Sequence, residues 1–141
     1  QAVTTTSAAN SFITDSAASG TAIACGEKTV NGCIGMDKTR KRNLTSVAKV
    51  AKESGRKVGI ITSITINHAT PASFYANNPS RGNYYAIALD LVKSNFDYFG
   101  GGGMAAANKK SDPAYRGDLY ELAKKAGGIN GINVKVSVSK K

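Results

Sequence analysis

Apolar positions in this chain gather into stripes and short runs that predict helices alternating with strands. Leu44, Val47, Ala48 and Ala51 fall at i, i+3, i+4 and i+7, which predicts a helix with one apolar face. Asn43 would cap its start, and Gly55 would lie just past its end. Val58 to Ile66 is β-branched and almost continuously apolar, the pattern of a strand covered on both faces in a parallel sheet. A polar loop with Asn67, His68, Thr70 and Pro71 follows. From Asn83 to Ser94 the helical stripe returns as Tyr84, Ile87, Ala88 and Leu91. Phe96 to Phe99 reads as a short strand stopped by Gly100 to Gly103, and residues 104–117 read as loop. Asp118 and Glu121 open a last helix in the manner of a capping box. Leu119, Leu122, Ala123 and Ala126 would face inward, with Gly127 at its end. Val134, Val136 and Val138 alternate with polar residues, which predicts a final strand.

The first 14 residues are rich in Thr, Ser and Ala and carry no usable period. Ser16 to Cys25 consists mostly of small residues, which predicts a short helix packed closely against a sheet and stopped by Gly26. Residues 26–42 form a polar connection. The whole pattern is that of an α/β fold, a layered and mostly parallel sheet with helices. Three or four short strands make a thin sheet for two covering layers. The expectation is therefore a single partial domain over residues 1–141, one portion of a larger fold.

Composition narrows the class. At 141 residues, 41% hydrophobic and 20% charged, the chain can bury a core and is not disordered. No apolar run approaches the length of a membrane span. Net charge is +10, from 19 Lys and Arg against 9 Asp and Glu. Lys38, Arg40, Lys41 and Arg42 form one tight run, and most other cations fall near helix ends, where they complement the helix dipole. The charge admits a second class, a basic anion- or nucleic-acid-binding module without catalysis. Against it, no aromatic residues interleave with the basic run for base stacking. Cys25 and Cys33 do not have zinc-site spacing, and the pattern favours two buried free thiols over a disulfide.

Three places could carry chemistry. Ser16 follows Asp15 at a predicted helix start, where unpaired amides and the helix dipole favour an anion. Ordinary capping also explains Thr14, Asp15 and Ser16. His68 and Thr70 lie just past a predicted strand end, the usual place for ligands in open α/β sheets. A threonine oxygen suits a hard cation such as magnesium. Arg81, within Asn78-Pro79-Ser80-Arg81-Gly82, can grip two phosphate oxygens at once.

Longer motifs join these points. SFITDSAASGTAIACGEKTVNGCIGMD over residues 11–37 resembles the nucleophile segment of alkaline phosphatases. VGIITSITINHATPASFYANNPSRGNYY over residues 58–85 is similar to the segment that follows it in that family. FDYFGGGG and LYELAKKAG continue in the same order. The resemblance implies hydrolysis of phosphate monoesters through a phosphoserine on Ser16. It implies that Arg81 binds phosphate and that Asp15 holds that arginine. It also implies that Thr70 is a magnesium ligand and that His68 stands near the same site.

The family's centre holds two Zn²⁺ and one Mg²⁺. Most of its Asp, Glu and His ligands come from regions not matched here, and this chain has a single histidine. The expectation is thus an internal piece of a longer enzyme, inactive by itself. Further expectations from the resemblance are inorganic phosphate as product, a homodimer, a periplasmic or extracellular location, and no specific nucleic acid.

Overall fold

The computed structural model describes residues 4–130 and 133–136. Among these residues, five helices and three strands occur in the order α1 (Ser16–Cys25), α2 (Val47–Glu53), β1 (Gly59–Ile61), α3 (Ala69–Ala72), α4 (Tyr84–Lys93), β2 (Tyr98–Gly101), α5 (Leu119–Asn130) and β3 (Asn133–Val136). The strands form one parallel sheet in the order β1-β2-β3. Ile60 pairs with Phe99, and Phe99 with Val134. Each connection within the sheet includes a helix, as parallel pairing requires. The predicted α/β class is the observed one. Val138, expected in the last strand, lies outside the described residues.

The core lies where α3, α4 and α5 meet β2. Tyr75, Tyr85, Phe96, Phe99, Ile87, Leu91 and Leu119 are fully buried there. Tyr75 meets Phe99 edge-on at 5.4 Å, a geometry that aligns the ring quadrupoles favourably. Both buried tyrosines satisfy their hydroxyls, since Tyr75 donates to the Ile66 carbonyl and Tyr85 to that of Gly117, each at 2.6 Å. Buried Asn67 clasps two separate segments, donating to the carbonyls of Tyr84 and Ala105 and accepting from the Ala105 amide.

Several sequence expectations are corrected. The run Val58–Ile66 is a strand only over Gly59–Ile61, and Ile61 is 79% exposed rather than covered on both faces. Beyond Ile61 the chain bends across the glycines of β2. The Thr62 amide donates to the Gly100 carbonyl, the Gly102 amide to Ile64, and the Ile66 amide to Gly103. That close crossing leaves no room for a side chain, because a Cβ on Gly101 would stand 2.4 Å from Ile66 Cγ2. The glycines therefore do not stop β2, which runs through Gly100 and Gly101.

Helix α2 starts after Ser46, whose hydroxyl accepts from the Lys49 amide, and not at Asn43, which bridges Met36. The predicted loop at residues 67–71 contains the single turn α3. Helix α1 packs against α3 and α2. Helix α5 runs past Gly127 to Asn130; Asp118 caps its start as expected, accepting from the Tyr120 and Glu121 amides, while the Glu121 carboxylate pairs with Lys124. Both cysteines are free thiols, with Cys33 buried and Cys25 half-buried.

Candidate functional site

Asp15 caps α1 from an extended conformation (φ −97°, ψ 175°), and its Oδ1 accepts from the Ala18 amide at 2.9 Å. The other carboxylate oxygen accepts from the Gly32 amide and from Arg81 Nη1, each at 3.0 Å. The Arg81 amide in turn donates to the Gly32 carbonyl at 2.8 Å. The second guanidinium nitrogen of Arg81 lies 3.2 Å from His68 Nε2. Since arginine can only donate, His68 accepts through Nε2 and carries its proton on Nδ1. That Nδ1 is buried and has no partner among the described residues.

The electrostatics agree with this geometry. Burial pushes the Asp15 carboxyl upward. The Ala18 amide, the Arg81 guanidinium and the Gly32 amide more than offset that, and the carboxyl ends below its ordinary value. Burial and then the charge of Arg81 both push His68 down, which favours the neutral imidazole.

Close packing of α1 on α3 brings these parts together. Gly20 faces Ser73 so tightly that a Cβ there would sit 2.6 Å from its hydroxyl oxygen. The starts of the two helices, with Asp15 at one and His68 at the other, consequently share a side of the molecule, and Arg81 spans them.

Ser16 is the first residue of α1 and is half-buried. The hydrogen bonds at this helix start run to Asp15 and from Ser19, and none engages Ser16 Oγ among the described residues. Helical geometry also leaves the first amides of α1 without partners inside the helix. A hydroxyl without a partner among the described residues thus follows directly in the chain on Asp15, the carboxylate that holds the Arg81 guanidinium. Thr70 is placed differently. It is exposed on α3 and lines a cavity of about 360 Å³ with Thr62, Pro71, Phe74 and residues of β1. It makes no hydrogen bond to Asp15, His68 or Arg81. Among the described residues, no group of three or more His, Cys, Asp or Glu side chains is arranged to hold a metal ion.

Asn31 and Gly32 were not singled out from the sequence. Asn31 Oδ1 accepts from the Asp15 amide at 3.0 Å, and Gly32 serves both Asp15 and Arg81 through its backbone. The only sequence signal was an Asn-Gly pair, which reads as a turn.

Comparison with known proteins gives a consistent result. The profile of the alkaline phosphatase family matches residues 1–102. Alkaline phosphatase 4 of Bacillus subtilis is 44% identical over 104 residues, covering 70% of this chain and 22% of its own length. The tissue-nonspecific alkaline phosphatase of Rattus norvegicus is 32% identical, covering 89% of this chain and 28% of its own length. The solved alkaline phosphatase of the Antarctic bacterium TAB5 superposes with a TM-score of 0.77 at 36% identity, covering 86% of this chain and 34% of that one. A histidine-to-aspartate mutant of that enzyme, solved with Mg bound in its M3 site, superposes with a TM-score of 0.79. The chain thus spans less than a third of the curated relatives and about a third of the solved structures.

Proposed function

Because the chain belongs to the alkaline phosphatase family, we propose that it is the nucleophile-bearing part of a phosphate-monoester hydrolase. Ser16 Oγ would attack phosphorus as the bond to the ester oxygen breaks, leaving phosphoserine and an alcohol that gains a proton. Water would then attack the phosphoserine, restoring the Ser16 hydroxyl and releasing inorganic phosphate. Arg81 would grip two non-bridging oxygens with its planar fork, and Asp15 would keep that fork aimed. The observation that carries this reading is the Asp15–Arg81 ion pair at 3.0 Å, which brings a guanidinium from 66 residues away to the residue next to Ser16.

Two zinc ions and one magnesium belong to the reading, and the described residues do not make a zinc site. Zinc needs three or four protein ligands, and this segment offers one histidine with Nε2 already engaged. Those ligands would come from elsewhere in a longer protein. Thr70 supplies one hard oxygen, and His68, two residues away with its proton on Nδ1, would donate to a water in the cation's shell rather than bind the cation directly. These fit the edge of a magnesium site completed by other segments. When bound, such cations would stabilise charge on the phosphoryl oxygens. The same reading makes residues 1–141 part of one larger domain, with phosphate monoesters as substrates and a homodimer as the working assembly. It places the enzyme outside the cytoplasm. No helix among the described residues is long and apolar enough to cross a membrane.

The test is turnover of a phosphate monoester by the longer enzyme with zinc and magnesium supplied. Ser16→Ala should abolish phosphoserine formation, seen as loss of the added phosphoryl mass on the peptide containing residue 16. Turnover by Ser16→Ala equal to the wild type defeats the reading.

A further inference from the structure

Building on the proposed role of Ser16, we propose that Asn31 is a positioning residue for the nucleophile. Asn31 lies in the connection after α1. Its Oδ1 accepts from the Asp15 amide at 3.0 Å, and its Nδ2 donates to the Ile13 carbonyl at 2.9 Å. One planar carboxamide therefore pins the peptides on both sides of Thr14, the stretch that leads into Ser16. Asn31 is itself held, since its amide donates to Asn10 Oδ1 at 2.9 Å.

Packing does not do this work. Phe12 is 98% exposed and Ile13 is 81% exposed, so the two large apolar side chains on the approach to Ser16 do not anchor it. The carboxamide of Asn31 is a side-chain clamp that bonds both peptides of Thr14. Arg81 also has ties that do not pass through Asp15, from its amide to the Gly32 carbonyl and from its guanidinium to His68 Nε2. Loss of the Asn31 carboxamide consequently displaces the hydroxyl while leaving the guanidinium in place. A misplacement of about 1 Å at a reacting atom can cost on the order of 100-fold in rate.

The experiment compares Asn31→Ala with wild type in the longer, metal-loaded enzyme. kcat/KM for a phosphate monoester should fall about 10- to 100-fold. The Kd of inorganic phosphate, which reports the grip of Arg81, should stay within about threefold. Asn31→Asp keeps an acceptor for the Asp15 amide but loses the donor to Ile13, so it should show the same split in milder form and carries the comparison if Asn31→Ala does not fold. Unchanged kcat/KM, or phosphate affinity falling in step with it, overturns the proposal. Failure of the underlying reading is separately visible, because it would appear as full turnover by Ser16→Ala whatever Asn31 does.

Discussion

At the scale of single residues, Arg81 is the group on which phosphate recognition depends. Its guanidinium is held from two sides, by Asp15 and by His68. Arg81→Ala in the longer enzyme should lower kcat/KM on the order of 100-fold by removing stabilisation of the phosphoryl oxygens. Arg81→Lys should recover only part of that, since an ammonium cannot form the paired contact; initial rates across substrate concentration check both. Asp15 makes a pH prediction of definite sign. Its folded carboxyl titrates below its unfolded value, so the stabilisation is present above about pH 4 and is lost as pH falls through the folded value. Asp97 acts in the same direction more strongly, held down by Lys52, the Val58 amide and Lys57. Thermal midpoints should therefore fall on acidification below about pH 4. Asp97→Asn should flatten that dependence, and an unchanged slope would remove Asp97 as a cause. Ser16, Asp15, His68 and Arg81 were all legible as candidates in the sequence. That Asp15 and Arg81 bond directly was legible only through the family resemblance, because no local pattern links positions 66 residues apart.

At the scale of elements, cap and crossing decide boundaries that periodicity misplaces. The stripe Leu44, Val47, Ala48 and Ala51 located a helix there, but its first turn had to be chosen by hydrogen bonding. Ser46 satisfies the Lys49 amide and also donates to the Phe74 carbonyl. Ser46→Ala should cost about 1 kcal/mol, while Asn43→Ala should stay within about 0.5 kcal/mol. Denaturant midpoints for the two variants test which residue is the cap. The crossing over β2 gives a second contrast. Gly101→Ala places a methyl against Ile66 and the Ile64 carbonyl and should destabilise by about 1–3 kcal/mol. Gly82→Ala meets nothing closer than 3.6 Å and should be nearly neutral. Equal stabilities would mean the crossing is looser than described.

At the scale of the whole molecule, the exposed apolar groups stand out. Ile61 on edge strand β1, with Phe12, Ile13 and Ile23, leaves apolar surface open to water. An edge strand of this kind is also a template for further pairing. The 141-residue chain alone should accordingly self-associate as concentration rises, and it should turn over phosphate monoesters poorly even with zinc and magnesium. Sedimentation and an initial-rate assay check the pair, and strong Ser16-dependent turnover by the isolated chain would contradict it. The basic run is quieter than its charge implies. Asp37 accepts from Thr39 and from the amides of Lys41 and Arg42, folding the run into a turn, and Arg42 pairs with Glu27. That arrangement is a solvated turn more than a continuous track for nucleic acid.

The sequence by itself determined the α/β class, the positions of α1, α4 and the start of α5, and the residue types from which the site is drawn. These are consequences of local chemistry: apolar periodicity, small residues and capping side chains act over a few neighbours. Only the tertiary structure decided that β1 is three residues long, that α1 packs on α3, and that Asn31 and Gly32 frame Asp15 and Arg81. Each of those depends on groups far apart in sequence meeting within hydrogen-bond or van der Waals distance, and nothing in a local pattern records that distance.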